Sequence, residues 1–141
     1  MTIIHQATCV AIGGRGLLIE GPPGAGKSSL ALALIDRGAT LVGDDGVVLE
    51  PVEGLLVASP HPRTEGKLEV RNVGLVAMPA VGGVPVALVI RLDAQAPRWI
   101  AAPERVVRAS CPLPCVALWP DSPVLHLRAE CALDLYGLAR G

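Results

Sequence analysis

Gly21, Gly26, Lys27 and Ser28 stand at the spacing G-x-x-x-x-G-K-[ST], within the segment GPPGAGKS of a 141-residue chain. That spacing serves the grip on a phosphate chain. Glycines let the backbone turn tightly with its N–H groups pointing inward, and a helix starting where the loop ends adds its positive pole. Lys27 supplies a point charge for the outer phosphates, and Ser28 a hydroxyl for Mg²⁺, an ion that takes few protein oxygens and keeps several waters. Pro22 and Pro23 have no N–H, so they stiffen the loop and leave Gly24, Ala25, Gly26, Lys27 and Ser28 as the amide donors. The expectation is a P-loop that cradles the phosphates of ATP.

Other residues could join it. Asp44 and Asp45 end a short apolar run after the helix expected behind the loop, where a parallel β-α-β unit brings a strand's carboxyl end beside the phosphates. Two readings stand for this pair: a metal ligand with a base, or a solvated acidic turn. Successive strand side chains point opposite ways, so a regular strand turns only one carboxylate inward unless it breaks near Gly46. His5 is a lone histidine in an apolar stretch and by itself reads as a hydrogen-bonded structural residue. Glu69 and Arg71 alternate with Leu68, Val70 and Val73, which also fits a half-buried strand with one polar face. Cys9, Cys111, Cys115 and Cys131 lack zinc-ribbon spacing and read as small hydrophobes, with Cys111 and Cys115 the weak metal or redox pair.

The elements that must position these groups show in local signals. Ile3–Ile12 and Gly16–Glu20 read as two β-rich stretches around Gly13-Gly14, a hairpin leading into the loop. KSSLALALIDR, from Lys27, carries Leu30, Ala33 and Leu34 at helical spacing, with Gly38 as its stop. Ala39–Gly43, Val47–Glu50, Leu68–Met78 and Val84–Asp93 read as further strands. Pro103–Arg108 is expected to make a helical turn or two. Ser122 is placed as N-cap, with Pro123 at the first position, of a C-terminal helix that buries Leu125, Ala129, Ala132 and Leu133 and runs to Tyr136. The fold class expected is α/β, a twisted mixed sheet carrying the P-loop with flanking helices, in one domain over residues 1–141.

Composition narrows the partners. A formal net charge of −1 gives no basic surface for nucleic acid. With 51% hydrophobic and 2% aromatic residues, the core must be built of Ala, Val, Leu and Ile. The apolar runs are far shorter than the roughly 20 residues of a membrane span. The first ten residues show no signal-peptide pattern, so a cytoplasmic location is expected.

The segments HQATCVAIGGRGLLIEGPPGAGKSSLALALIDRGATLVGDD and LEVRNVGLVAM together resemble the catalytic domain of HPr kinase/phosphorylase, the bacterial regulator of the sugar phosphotransferase system. The resemblance spans Ile4 to Asp93 and rests on ordered marks: an early His, the P-loop, RG-x-x-LV-x-DD and an E-V-R signature. It implies a protein-serine kinase that uses ATP and Mg²⁺ to phosphorylate a seryl hydroxyl of HPr, and the reverse phosphorylase reaction. The lack of HRD and DFG motifs agrees with a kinase outside the eukaryotic protein-kinase fold. The resemblance further implies His5, Lys27, Asp45 and Arg105 as active-site residues, with Asp45 taking the serine proton. By the same resemblance Ser28 and Glu69 hold magnesium, Asp44 supports the metal or the base, and the protein assembles as a hexamer.

Three departures bear on substrate handling. CPLPCVALWP, residues 111–120, replaces the Arg-rich loop tied to phosphorylase activity; Ser29 stands where many members have Glu; Asn72 replaces the glycine after E-V-R. The pattern most resembles the short single-domain form found in alphaproteobacteria, which implies a chain without the separate N-terminal domain of long members. Two other functions stay in view: a nucleotide-binding sensor that has lost catalysis, and a small-molecule kinase on the same scaffold.

Overall fold

The β-rich opening folds as three short strands, β1 (Ile3–His5), β2 (Thr8–Ile12) and β3 (Arg15–Glu20), in a computed structural model that describes residues 1–139. The expected single stretch Ile3–Ile12 is divided because the Ala7 N–H donates to the His5 carbonyl at 3.0 Å, a three-residue turn. Gly13 and Gly14, with φ of 57° and 83°, close the β2–β3 hairpin as expected. Two successive positive φ values match the right-handed twist of paired strands, and glycine takes them freely.

After β3 come α1 (Lys27–Asp36), β4 (Thr40–Gly43), β5 (Val47–Val52), β6 (Leu55–Pro60), β7 (Lys67–Val70), β8 (Gly74–Ala77), β9 (Val84–Leu92), β10 (Glu104–Arg108), β11 (Cys111–Leu118) and α2 (Leu125–Tyr136). Helix α1 ends on Gly38, whose N–H donates to Ile35 while that of Ala39 donates to Leu34, both at 3.0 Å. These bonds satisfy carbonyls that the helix end would otherwise leave open. Its buried side chains are Leu30, Ala31 and Leu34, so Ala31 rather than Ala33 faces the core.

Three other expectations are corrected. Leu68–Met78 is a hairpin, β7–β8, because Asn72 turns the chain with φ 69° and the Val73 N–H donates to Val70 at 3.0 Å. Pro103–Arg108 is a strand, β10, since its backbone pairs antiparallel with β11 from Glu104↔Cys115 to Arg108↔Cys111. Helix α2 starts at Leu125 rather than at Pro123: Ser122 Oγ accepts from the Val124 N–H at 3.2 Å in a turn ahead of the helix.

Nine strands form one mixed sheet in the order β1-β5-β6-β9-β3-β2-β4, with β11 also pairing β9 and β10 pairing β11, while β7 and β8 form a separate pair. Strands β3, β9 and β11 run parallel. Strand β4 points the same way, separated from β3 by antiparallel β2. The expected β-α-β unit therefore spans an intervening strand. Its consequence survives, because the carboxyl ends of β3, β4, β9 and β11 still share one edge.

Alternate residues bury opposite faces. Val10, Leu17, Ile19, Leu88 and Ile90 pack against Leu30 and Leu34 of α1 and against Ala129 and Leu133 of α2. Cys9, Leu18 and Val89 lie on the other face with Leu49, Leu56, Leu113 and Cys115, strand against strand. Among the described residues no helix is long and apolar enough to cross a membrane.

Candidate phosphate-transfer site

Segment Gly21–Ser28 bridges the carboxyl end of β3 and the first turn of α1. Gly24 and Gly26 take φ of 79° and 100°, a backbone that side chains rarely allow, and the Ala25 N–H donates to the Pro22 carbonyl at 3.1 Å. Gly26 caps α1 with no side-chain bond. Pro23, Gly24 and Gly26 of the loop and Lys27 and Ser28 of the helix start line one cavity of about 200 Å³. Lys27 Nζ donates to the carbonyls of Gly21 at 2.9 Å and Pro22 at 3.2 Å, folding back across its own loop.

The cavity also takes Thr8, Asp44, Asp45, Glu69 and Arg71. Among the described residues Thr8 and Asp44 are the buried polar side chains, at 0% and 6% exposure. Asp44 Oδ1 accepts from Ser28 Oγ at 2.6 Å and from Thr8 Oγ1 at 3.0 Å; Oδ2 accepts from the Glu69 N–H at 2.9 Å. One carboxylate thereby joins the start of β2, the start of α1 and β7. Antiparallel β2 brings Thr8 to this edge, and that is why a residue so far upstream belongs to the site.

Asp45 differs from its neighbour. It is exposed, and β4 has already ended at Gly43, so both acids lie in the bend before Gly46, where Asp45 takes φ 57°. The strict alternation of strand side chains no longer holds there, and both acids line the same cavity. Aspartate tolerates the left-handed region better than most side chains. Glu69 lies 3.5 Å from Arg71, both largely exposed at the cavity rim.

His5 and Arg105 are not among the residues lining this cavity. His5 Nε2 lies 2.7 Å from Glu20 Oε2, and Arg108 places Nε and Nη2 on the two oxygens of the same carboxylate at 2.8 and 2.7 Å. Burial alone would raise the Glu20 carboxyl, but the Arg108 and His5 hydrogen bonds and charges outweigh it, from an ordinary 4.5 to about 2. An ionised carboxylate only accepts, so Nε2 of His5 carries the proton in this bond. Arg105 is exposed on β10. Glu20, Arg108 and Thr8 were not singled out by the sequence. A charged residue ending the apolar run GLLI and a hydroxyl inside ATCVA were the available signals; Arg108 offered none.

Cys111 and Cys115 lie four residues apart on β11, about 13 Å at strand rise, too far for a shared bond or metal. Both are buried, as is Cys9, whose thiol burial pushes up to about 12. Only Cys131 is exposed among the free cysteines. Among the described residues no three His, Cys, Asp or Glu side chains form a protein-only metal cage.

Residues 1–92 match the family model of the HPr Serine kinase C-terminal domain. The chain belongs to that family. It is 44% identical over 82 residues to the HPr kinase/phosphorylase of Clostridium tetani and 46% identical over 83 residues to that of Clostridium acetobutylicum. Those matches cover 58% and 59% of this chain but 27% of each relative, so the chain spans about a quarter of their length. Its fold superposes on the Hpr(Ser) kinase/phosphatase of Coxiella burnetii with a TM-score of 0.83 and 26% identity, covering 94% of both chains. The mixed α/β architecture with its large sheet is therefore that of this kinase family, through the strands after residue 92 as well.

Proposed function

We propose that this family member is an ATP- and Mg²⁺-dependent protein-serine kinase acting on an HPr-like phosphocarrier. The observation that carries the reading is the convergence of Lys27, Ser28, Asp44 and Asp45 on one cavity where strand ends meet a helix start. In this reading Gly21–Ser28 is a P-loop. The amides from Gly24 to Ser28 hold phosphate oxygens, and Lys27, anchored on the Gly21 and Pro22 carbonyls, turns its third N–H to the outer phosphates.

The donor set fits magnesium. Ser28 Oγ and Asp44 are 2.6 Å apart, all the nearby donors are oxygens, and Glu69 stands at the rim. Mg²⁺ is ordinarily held by one or two carboxylates with phosphates and waters, so a full protein cage is not required. When bound, the ion neutralises charge on the phosphates. Thr8 and the Glu69 amide orient Asp44, leaving its position set before any ligand arrives.

Phosphoryl transfer needs positioning, charge neutralisation and a destination for one proton. A serine oxygen attacks the outer phosphorus, the bond to the bridging oxygen breaks, ADP leaves with that electron pair, and the Asp45 carboxylate takes the hydroxyl proton. Exposed beside buried Asp44, Asp45 is the member of the acid pair that an incoming protein can reach. In the phosphorylase direction an oxygen of inorganic phosphate attacks the phosphoserine phosphorus, the bond to the serine oxygen breaks, pyrophosphate forms, and Asp45 passes the proton taken from the attacking phosphate to the departing serine oxygen. The resemblance adds His5 and Arg105 to the active site, together with a hexameric assembly.

The test is transfer from γ-labelled ATP with Mg²⁺ to purified HPr, to HPr with its serine replaced by alanine, and to a panel of metabolites. Label on HPr alone, lost with the serine, is expected. ATP binding without transfer to any acceptor would instead make the chain a nucleotide sensor, and preference for a metabolite would make it a small-molecule kinase.

A further inference from the structure

The Glu20 carboxylate joins three segments outside the phosphate cavity. Arg108, ending β10, grips both its oxygens at 2.7 and 2.8 Å, and His5, ending β1, meets one at 2.7 Å. The cluster is largely shielded: side-chain exposure is 14% for Glu20, 25% for His5 and 26% for Arg108. Glu20 itself lines a second cavity on the other flank of the loop.

Its place in the chain gives the cluster a task. Glu20 is the last residue of β3, and the carbonyl of the next residue, Gly21, accepts from Lys27 Nζ at 2.9 Å. Gly21 has little room to shift, since a Cβ there would meet Leu92 Cβ at 3.2 Å and Leu92 O at 3.3 Å. Strand β9 walls one side, and the bidentate Arg108 pair fixes the strand end. Two parallel N–H···O bonds set an angle as well as a distance, which a single bond or an apolar contact does not. An apolar residue would finish an apolar strand with less desolvation, so a charged network at this point is hard to account for by stability alone.

We propose that Glu20 and Arg108, with His5, are positioning residues that fix the Gly21 carbonyl and so aim the Lys27 ammonium into the phosphate site. This rests on reading Gly21–Ser28 as a phosphate cradle, and it has His5 act from behind the loop, through Glu20. The low-lying Glu20 carboxyl keeps the network charged throughout the neutral range.

Calorimetric titration of the full chain with ATP and Mg²⁺ tests it, in the wild type, Lys27→Ala, Arg108→Ala and the Lys27→Ala/Arg108→Ala double variant. Arg108→Ala should weaken ATP binding about tenfold in the wild type and less than about twofold when Lys27 is already gone. Glu20→Gln, nearly the same shape, should weaken binding about fivefold and serves if Arg108→Ala does not fold. Arg108→Lys keeps the charge without the fork and should recover only part of the loss. Equal losses with and without Lys27 would overturn the proposal, because a general structural defect ignores Lys27. So would ATP affinity within about twofold of wild type in Arg108→Ala and Glu20→Gln alike. A wild type that binds no ATP removes the phosphate cradle and the positioning together, whereas the other failures leave the cradle standing.

Discussion

Asp44 and Asp45 are consecutive carboxylates with opposite surroundings, and their variants should separate stability from chemistry. Asp44 is buried and accepts three hydrogen bonds. Asp44→Ala leaves Thr8 and the Glu69 amide without their partner, so urea unfolding should show a loss of about 1–3 kcal/mol. Asp45 is exposed, and Asn tolerates its φ of 57°. Asp45→Asn should therefore leave stability within about 0.5 kcal/mol while transfer to serine falls by about a hundredfold or more. Glu20 makes a pH prediction. Its folded carboxyl titrates near 2 against an ordinary 4.5, so its contribution is complete above 4.5 and is lost as pH falls towards 2. The shift corresponds to about 3 kcal/mol. The difference in urea midpoint between wild type and Glu20→Gln should be large at about pH 6 and shrink at about pH 3. The place of the acid pair after a helix and an apolar strand was legible; that one is buried and the other exposed beside the same cavity was not, because alternation assumes a regular strand and β4 ends at Gly43. Arg108 was not legible, because only the pairing of β10 with β11 brings its side chain to Glu20.

Helix α1 is bounded by Gly26 and Gly38, both with positive φ, 100° and 110°, and both with open space where a Cβ would go. Alanine at either site meets no clash, only backbone strain of about 1–3 kcal/mol. Gly26→Ala and Gly38→Ala should thus lower unfolding stability alike, while only Gly26→Ala, in the phosphate loop, weakens ATP binding in a titration. Elements with local punctuation were readable: the Gly13-Gly14 hairpin, the glycine stop of α1, and the Leu125, Ala129, Ala132 and Leu133 face of α2. Elements made by distant pairing were not. Strand β10 exists because β11 lies beside it, with Ala109 and Ser110 supplying the turn at φ of 46° and 69° without a glycine to announce it. Asn72 likewise turns β7 into β8 where the alternation of Leu68, Val70 and Val73 suggested one strand.

Across the molecule, the parallel ends of β3, β4, β9 and β11 gather the loop and the acid pair at one edge, where open α/β sheets bind ligands. Antiparallel β2 between β3 and β4 adds Thr8 to that edge, and β10 sends Arg108 back to the strand that launches the loop. The class of fold was legible from the order of strands and the single strong helix; the strand order in the sheet was not, because apolar runs carry no record of which neighbour they pair with. Family membership and superposition on a kinase of this family give the architecture, and the four converging side chains carry the proposed reading of its use. The most direct measurement is the yield of phosphoserine on HPr after incubation with ATP and Mg²⁺, read by mass spectrometry for the wild type and Asp45→Asn side by side. The account predicts one phosphoserine per HPr with the wild type and a yield lower by about a hundredfold with Asp45→Asn. Equal phosphoserine yields from the two proteins, or none from the wild type while a long family member modifies the same HPr, would contradict it.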